Sequence, residues 1–503
     1  MHRFLRILIV SCLISVQTKG QSIPYEKLAV TYGLQHIPTL RSYLSIPCDA
    51  NVKEDMYKNI EWVQNAFSSR GFSVSTLETP TLPVLLLERK AKNPAAKTVL
   101  FYYHSDGQPV RSAEWQQENP FIPVLKQKKG DAWEQIPFER ITQNYDPEWR
   151  IFGRASSDDK GPGVMLLAAL DAIESLAISP NYHLKILVDF EEEKGSTSLP
   201  GIIEKNRKAL ESDLLLIFDG PAHPTNLPTI TFGARGILTL TLTTYGPVSP
   251  LHSGHYGNYV PNPVFRMARL LTNMKAEDGR VLIPGFYEGI QLDPITAKQI
   301  AAVPDDLAAL NSRLGIAQAE KVGTNYQESL IYPSLNVRGI KAAEVGAMAA
   351  TIIPDKAVAE IDIRTVRASE PARLIELVKK FIRDEGYYIV TNEPTAEERA
   401  KYDKIIKIGS RPAYGAFSTE MQSEVGLWIQ RAIQKTTSQP LVKLPTMGGS
   451  VPISPFVAQL GVNAVIVPTV NTDNNQHSAN ENLRLGNYFE GIRTMIGLLT
   501  EKF

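Results

Sequence analysis

The chain has 503 residues, which is too long for one ordinary domain and leaves room for two or three. Its 53 Lys and Arg residues balance 53 Asp and Glu residues, and 43% of its residues are hydrophobic. This composition is typical of a globular protein and argues against a basic nucleic-acid-binding surface or a long disordered tail.

The first 20 residues have the order of a secretory signal peptide. Basic residues within positions 2–6 precede an apolar run over 7–16, and small or polar residues follow up to Gly20. A first core helix and a lipoprotein signal at Cys12 are weaker alternatives. No later segment is apolar for long enough to cross a bilayer. We therefore expect an exported protein, periplasmic or secreted, that is cleaved near Gly20.

Only two cysteines are present, and Cys12 would leave with the signal peptide. Cys48 would then stand alone, which excludes an internal disulfide and a thiolate metal cluster. Any bound metal must therefore be held by histidine and carboxylate, and the chain has eight histidines.

Short apolar runs alternate with helix-like segments between residues 97 and 218, which is the pattern of a parallel-sheet α/β domain. Strands are predicted over 98–103, 183–190 and 214–218. Each is followed by polar residues, namely His104-Ser105-Asp106, Glu191-Glu192-Glu193 and Asp219-Gly220. Because the carboxyl ends of parallel strands meet at one edge of a sheet, these side chains are expected to converge there.

From residue 237 the pattern changes to alternating Leu and Thr, which is typical of a strand with one wet face. The elements that follow have the order β-α-β-β-α-β, which predicts a ferredoxin-like second domain. They are a helix over 264–274, strands over 334–340 and 357–365, a helix from Pro371 to Gly386, and a last strand over 387–390. The segment 278–332 has no place in this order. A helix over 420–435 and an apolar run over 464–467 indicate a return to the first domain.

Each polar motif has a structural alternative. A lone pair such as His104 and Asp106 is more often a surface pair than a metal ligand with its orienting carboxylate. The Gly-rich turn before Val164, which contains Asp158, is also compatible with an ordinary helix start, although its spacing excludes a Walker motif. Glu191-Glu192-Glu193 is either a solvated charged loop or a carboxylate cluster neutralised by cations.

Taken together, two histidines, His104 and His477, and several carboxylates are suited to zinc or a related divalent ion. A carboxylate shared between two ions would make the site dinuclear.

These motifs resemble those of metallopeptidase family 20, the dinuclear zinc exopeptidases that include carnosinases, dipeptidases, carboxypeptidases and aminoacylases. The matching segments follow the family's order over nearly all of the mature chain: His104 to Pro109, Gly153 to Gly161, Glu192 to Ser196, Asp219, Leu251 to Gly254, Arg364, Gly448 to Ser450, and His477-Ser478. The sequence departs from the family at Ala155, where glycine is usual.

The resemblance implies a zinc-exopeptidase fold with a mainly parallel catalytic sheet, interrupted by a ferredoxin-like lid and dimerisation domain. The expected boundaries are 1–20 for the signal peptide, 21–235 and 409–503 for the two catalytic segments, and 236–408 for the lid.

The resemblance also implies the roles of individual residues. Asp158 would bridge two divalent ions, zinc in the first place, with cobalt or manganese as alternatives. His104 and Asp219 would complete one metal site, and Glu193 and His477 the other. Glu192 would be the general base and Asp106 would orient His104. A cis peptide bond is expected between Asp158 and Asp159.

In the lid, Arg364 would hold the substrate carboxylate, unless it is only a surface ion pair with Glu360 or Asp362. Gly449 and Ser450 are further candidates for substrate binding. His252 would reach the active site of the partner subunit and stabilise the oxyanion, so a homodimer is expected. The other histidines that match no family motif are interpreted as structural or surface residues: His36, His183, His223 and His255.

The sequence thus predicts an exopeptidase that hydrolyses dipeptides or short peptides, and Asp219 favours the carnosinase-like branch. A deacylase of N-acyl amino acids or a carboxypeptidase on the same site is the first alternative. A binding protein without catalytic activity is the second. No nucleic acid or membrane partner is expected.

Overall fold

The computed structural model describes residues 23–503, so the predicted signal peptide over residues 1–20 lies outside the described part. The helices are α1 (Tyr25–Leu44), α2 (Lys53–Ser68), α3 (Arg140–Asn144), α4 (Lys160–Ser175), α5 (Leu199–Leu210), α6 (Ser253–Tyr256), α7 (Pro263–Met274), α8 (Pro294–Ala301), α9 (Leu307–Leu314), α10 (Tyr326–Ser329), α11 (Pro371–Asp384), α12 (Ala396–Lys401), α13 (Glu424–Gln434), α14 (Ser454–Leu460) and α15 (Leu485–Thr500).

The strands are β1 (Ser73–Leu77), β2 (Val84–Arg89), β3 (Thr98–His104), β4 (Val124–Lys129), β5 (Ala132–Ile136), β6 (Arg150–Phe152), β7 (His183–Asp189), β8 (Leu214–Ile217), β9 (Thr229–Thr231), β10 (Gly233–Ala234), β11 (Gly236–Tyr245), β12 (Leu251–His252), β13 (Ser334–Lys341), β14 (Ile352–Ile353), β15 (Lys356–Thr365), β16 (Tyr388–Val390), β17 (Ile405–Tyr414), β18 (Phe417–Ser418), β19 (Val442–Leu444), β20 (Asn463–Ile466) and β21 (Asn482–Arg484).

An eight-stranded sheet of order β1-β2-β7-β3-β8-β20-β9-β19 forms the centre of the catalytic part. Its four central strands, β7, β3, β8 and β20, run parallel, whereas β1, β2 and β9 add antiparallel pairs toward the edges. The central strands are largely apolar and buried, as expected where helices cover both faces of a sheet. The predicted α/β class is confirmed, and parallel pairing is concentrated at the centre of a mixed sheet.

Helices bury the two faces of this sheet in separate cores. The core of one face includes residues of α1, α2, α4, α13 and α15, and the core of the other includes residues of α5 and α14. Helix α4 is buried over nearly its whole length because it packs against the sheet, α1 and α15. This rigid support positions the loop that precedes α4.

The second sheet has five strands in the order β13-β15-β11-β17-β16. Leu238, Leu240 and Leu242 of β11 face a core shared with α7 and α11, as the Leu/Thr alternation predicts. The prediction that residues 387–390 form the last strand of the ferredoxin-like order is wrong in one respect. The long β17 pairs antiparallel with β11 and occupies the fourth ferredoxin-like position, whereas the short β16 lies at the edge, parallel to β17.

Two regions had no assignment from the sequence. The segment 278–332 contains the short helices α8, α9 and α10. A four-stranded sheet of order β21-β6-β4-β5 joins residues that are more than 300 positions apart, because β21 pairs antiparallel with β6. Within residues 23–503, no helix combines the length and the apolar character needed to cross a membrane.

Candidate metal centre

Three parallel strands bring the first group of polar side chains to one edge of the central sheet. His104 is the last residue of β3 and pairs with Asp189, the last residue of β7. Glu192 and Glu193 lie in a single 3₁₀ turn just after β7. Asp219 follows β8 by two residues. The predicted convergence at the carboxyl ends of these strands is confirmed.

Asp106 connects two of these strand ends. Its carboxylate accepts hydrogen bonds from the backbone amides of Glu192 (3.1 Å) and Glu193 (3.0 Å). Its Oδ1 lies 3.3 Å from Nδ1 of His104, and its backbone oxygen lies 3.1 Å from the same nitrogen. This arrangement directs Nε2 of His104 to Oδ1 of Asp158, 2.9 Å away. Asp106 therefore orients both the imidazole and the glutamate turn.

Asp158 lies in the turn before α4, and its peptide bond to Asp159 is cis, as expected. Ala155, which replaces the usual glycine, has a left-handed φ of 61°. An alanine there costs about 1–2 kcal/mol relative to an unstrained backbone. The buried carboxylate of Glu481 accepts a hydrogen bond from the Ala155 amide at 2.9 Å and so helps to hold this conformation.

His477 reaches the site from the far end of the chain because β21 pairs with β6. Its Nε2 lies 3.1 Å from Oδ2 of Asp158 and 3.2 Å from Oε2 of Glu193. Hydrogen bonds to these two carboxylates raise the pKa of His477 to about 10. The residue itself has a left-handed φ of 61°, a strained conformation that is concentrated at functional sites.

The side chains form two ligand groups that share Asp158. One consists of His104, Asp158 and Asp219, the other of Asp158, Glu193 and His477, and within each group the candidate ligand atoms lie within 4.8 Å of one another. We call these five residues the metal-ligand cluster.

The electrostatics of the cluster fit bound cations. Burial and the nearby Asp158 carboxylate raise the pKa of Asp219 to about 6. Burial is also the main reason that the pKa of Glu192 lies well above its usual range. Several carboxylates packed at one buried place repel one another unless positive charge neutralises them. An oxygen-rich donor set with two imidazoles is suited to zinc and similar divalent ions.

Arg364 lies on β15 and donates a hydrogen bond from Nη1 to Oγ of Ser450 at 2.9 Å. The neighbouring carboxylates on that strand have other partners: Asp362 accepts from Asn336, and Glu360 accepts from Thr241 and Arg338. The backbone oxygen of Gly449 accepts from the Arg235 amide at 3.2 Å. Arg364 therefore does not form the alternative surface ion pair with Glu360 or Asp362.

His252 lies on β12 of the lid, which pairs with β14, and its ring is exposed. Its Nδ1 accepts a hydrogen bond from the Gly254 amide, and the ring lies beside that of His255. Among the described residues, the two ligand groups do not include His252. Its predicted role depends on a second subunit and remains a prediction.

Three other histidines of the described part have structural partners. His36 contacts Asp171 at 2.8 Å, and Asp171 also accepts from Arg70, which ties α1 and the loop after α2 to α4. His183 accepts from the Ala91 amide at 3.1 Å. His223 is buried and lies 3.0 Å from Asp305, in the segment without a sequence assignment.

The role of Glu481 was not evident from the sequence. Its side chain is fully buried and accepts from Nη1 of Arg154 (2.7 Å), from the amides of Ala155, Ser157 and Asp158, and from the Ser157 hydroxyl. The available signal was an acidic residue four positions after His477, but its partners are more than 300 residues away. Glu481 therefore positions the turn that carries Asp158.

Comparison with known proteins identifies the family. A family model described as a peptidase dimerisation domain of the M20 class matches residues 232–389. The Cys-Gly metallodipeptidase DUG1 of Candida albicans is 30% identical over 432 residues, which cover 83% of this chain and 81% of the relative. The chain belongs to the M20 metallopeptidase family.

Two further similarities extend over almost the whole M20 chain. The mouse Beta-Ala-His dipeptidase is 23% identical and covers 93% of this chain and 92% of the relative. The structure of the M20 metallo-carboxypeptidase Sso-CP2 from Sulfolobus solfataricus has a TM-score of 0.72 at 26% identity, covering 93% and 98% of the two chains. The predicted family, fold and enzyme class, a dipeptidase-like metallopeptidase, are confirmed, and the alternatives are not favoured.

The predicted location of this M20 metallopeptidase is contradicted. Its curated relatives include DUG1 dipeptidases from three yeasts, none of which is described as an exported enzyme. This relationship overturns the expectation of a periplasmic or secreted protein. The basic and apolar pattern of residues 1–20 on which that expectation depended lies outside the described residues.

Proposed function

We propose that this M20 metallopeptidase hydrolyses free dipeptides with two divalent metal ions, preferably zinc, held by the metal-ligand cluster. The observation that carries this proposal is the position of Asp158, which belongs to both ligand groups. The curated relatives act on Cys-Gly and β-Ala-His, as their names state, and these substrates define the class to be tested first. In this proposal His104 and Asp219 serve one ion, Glu193 and His477 the other, and Asp158 serves both.

When bound, two such ions lower the pKa of a water molecule and polarise the scissile carbonyl. Glu192 is placed for the proton transfers, since it adjoins both ligand groups without belonging to either of them. Its carboxylate takes a proton from the water that attacks the carbonyl carbon. It then delivers that proton to the leaving amine as the C–N bond breaks.

Arg364 and Ser450 are proposed to bind the carboxylate of the substrate. A guanidinium can donate two parallel hydrogen bonds to a carboxylate, and Ser450 already holds one of its nitrogens at 2.9 Å. Gly449 lies next to Ser450, and its backbone bond to the Arg235 amide fixes the turn. Because the guanidinium of Arg364 has a fixed position, it restricts cleavage to short substrates whose free carboxyl terminus reaches it.

We also propose that the chain forms a homodimer through the lid and that His252 of one subunit stabilises the oxyanion in the other. The lid exposes large apolar side chains in segments that flank β12 and β14: Tyr259, Phe265, Val345 and Met348 are 68–86% exposed. Such a surface is typical of an interaction site. The proposed organisation places the lid at 236–408, between catalytic segments 21–235 and 409–503, although the lid strand β17 continues past the second boundary to Tyr414.

The test is hydrolysis of Cys-Gly, β-Ala-His and Ala-Gly by chelator-treated protein, before and after addition of Zn²⁺, Co²⁺ or Mn²⁺. N-acetyl amino acids and a tripeptide with a blocked amino group test deacylase and carboxypeptidase activity. We expect metal-restored cleavage of free dipeptides. Glu192→Gln should reduce kcat at least ~100-fold, the lower range for loss of a general base.

Glu204→Gln, an exposed position on α5, is the matched control and should retain activity. Full activity of Glu192→Gln would contradict the proposed mechanism. Cleavage of only the acylated substrates would replace the dipeptidase assignment with the deacylase or carboxypeptidase alternative.

A further inference from the structure

The segment 278–332, which matches no motif in the sequence, forms one wall of a cavity beside the metal-ligand cluster. The cavity has a volume of about 520 Å³, and Asp219 is one of its lining residues. Its floor is the loop that follows Asp219, together with the carboxyl ends of β19 and β20. Helices α9 and α10 cover it from the lid side. This volume lies within the range of small-ligand sites, about 300–1,000 Å³.

A buried polar network attaches this wall to the catalytic part. Nε2 of His223 lies 3.0 Å from Oδ1 of Asp305, and Nδ1 lies 2.8 Å from the Thr225 hydroxyl. Gln327 of α10 donates to Oδ2 of Asp305 at 2.8 Å. His223 and Gln327 are 4% and 5% exposed. Because these groups satisfy one another, they fix the wall and do not require a polar partner from a ligand.

The remaining lining is largely apolar. Leu330 and Ile466 are buried, and Met447 and Leu310 are half-buried, with side chains that border the cavity. A Cβ added at Gly448 would lie 3.2 Å from Cδ2 of Leu330, so the glycine permits close packing between the turn and the wall. An apolar space of this size binds an apolar group by removing its surface from water.

The position of the cavity identifies the group that it takes. Asp219 lines it, whereas Arg364, the proposed carboxylate-binding residue, is not among its lining residues. A dipeptide whose carboxylate binds Arg364 and whose scissile bond lies at the metal-ligand cluster has its amino-terminal residue beyond that bond, on the side of Asp219. The side chain of that residue would enter the cavity.

We infer that the cavity walled by segment 278–332 is a specificity pocket for a large apolar side chain on the amino-terminal residue of the dipeptide. This inference rests on the proposed function and adds the substrate class to it. Relatives named for Cys-Gly and β-Ala-His act on small amino-terminal residues. For this chain, Leu-Gly and Phe-Gly are the expected better substrates.

The experiment compares kcat/KM of the zinc-loaded protein for Leu-Gly, Phe-Gly, Ala-Gly and Gly-Leu. Wild-type protein should prefer Leu-Gly and Phe-Gly to Ala-Gly at least tenfold. Ala309 of α9 lines the cavity, so Ala309→Trp fills it from an exposed helix and should reduce the Leu-Gly to Ala-Gly ratio at least tenfold. Ala308, also exposed on α9, does not line it, and Ala308→Trp should leave the ratio within twofold of wild type.

The outcomes separate this inference from the proposed function. No cleavage of any dipeptide by metal-loaded protein would overturn the proposed function itself. Cleavage of Ala-Gly without preference for Leu-Gly or Phe-Gly would overturn only the pocket. If Ala309→Trp reduced kcat/KM for Gly-Leu and not for Leu-Gly, the inference would also be overturned, because the cavity would then receive the carboxyl-terminal residue. Equal Leu-Gly to Ala-Gly ratios of kcat/KM for Ala309→Trp and Ala308→Trp would likewise overturn the specificity pocket.

Discussion

Replacement of Glu481 by glutamine tests whether one buried carboxylate holds the metal-binding turn in place. Glu481 is 0% exposed, and its ion-pair partner Arg154 is 3% exposed. Oε1 accepts from the amides of Ser157 and Asp158 and from the Ser157 hydroxyl, whereas Oε2 accepts from Arg154 and the Ala155 amide. Every partner is a donor, so the amide nitrogen of a glutamine would face donors in either orientation.

The expected cost follows from this geometry. Removal of one partner of a buried ion pair leaves the other charge unpaired and costs about 3–5 kcal/mol. The substitution also weakens the hydrogen bonds from the amides of Ala155 and Asp158, so the candidate metal ligand Asp158 loses its position as well. We expect Glu481→Gln to lower stability by roughly 3–5 kcal/mol and to reduce kcat/KM at least tenfold at saturating metal.

Urea unfolding followed by intrinsic tryptophan fluorescence measures the first effect, and dipeptide hydrolysis measures the second. Glu148→Gln is the matched control, because Glu148 pairs with Arg484 at the surface and is 62% exposed. An exposed pair contributes only about 0–1 kcal/mol, so this variant should unfold almost as wild type does. A Glu481→Gln protein with the same urea midpoint and the same kcat/KM as the control would refute the reasoning.

Three more predictions follow from other contacts. Burial acts to raise the pKa of Asp171, but hydrogen bonds from two side chains lower it to about 2. A lowered carboxyl pKa contributes stability above the unfolded value, and this contribution is lost as pH falls through the folded value. Asp171→Asn should therefore lower stability by roughly 1–2 kcal/mol at pH 7, allowing for partial exposure, and the difference should shrink toward pH 2.5. Equal differences at both pH values in urea unfolding would exclude this linkage. Asp106→Asn should weaken zinc affinity about 10–100-fold in competition with a chromophoric chelator, because it removes the carboxylate that orients the ligand; unchanged affinity would make Asp106 dispensable. Mixing inactive His252→Ala with inactive Glu192→Gln protein should restore up to about a quarter of wild-type activity if the histidine acts across the dimer. No recovery after subunit exchange, with mixed dimers present, would show that it acts within its own subunit.

The sequence was sufficient for the parts of the site that depend on local pattern. Apolar runs that end in His104, in Glu192 and Glu193, and in Asp219 predict parallel strands, and parallel strands bring their carboxyl ends to one edge. The resemblance to the M20 family supplied the pairing of Asp158 with both ligand groups. The Leu/Thr alternation of β11 likewise predicted which face of the lid sheet is buried.

The contacts between distant segments were decided by the tertiary structure alone. The three-residue strands β6 and β21 are too short to stand out as a periodic pattern, yet their pairing brings His477 and Glu481 to the turn of Asp158. In the lid sheet β17, and not the predicted β16, pairs with β11. Strand propensity alone does not determine which strand takes that position.

The segment 278–332 likewise separates what the sequence predicts about function from what only the tertiary structure shows. The sequence left this segment without an assignment, and none of its residues carries a motif. Only the folded chain places Asp305 against His223 and closes an apolar space beside Asp219. The sequence by itself therefore determined the part of the cluster that follows strand ends, His104, Glu193 and Asp219, because that part depends on residue types after apolar runs. The tertiary structure decided the shape around it, because a cavity is formed by side chains that are neighbours only in space.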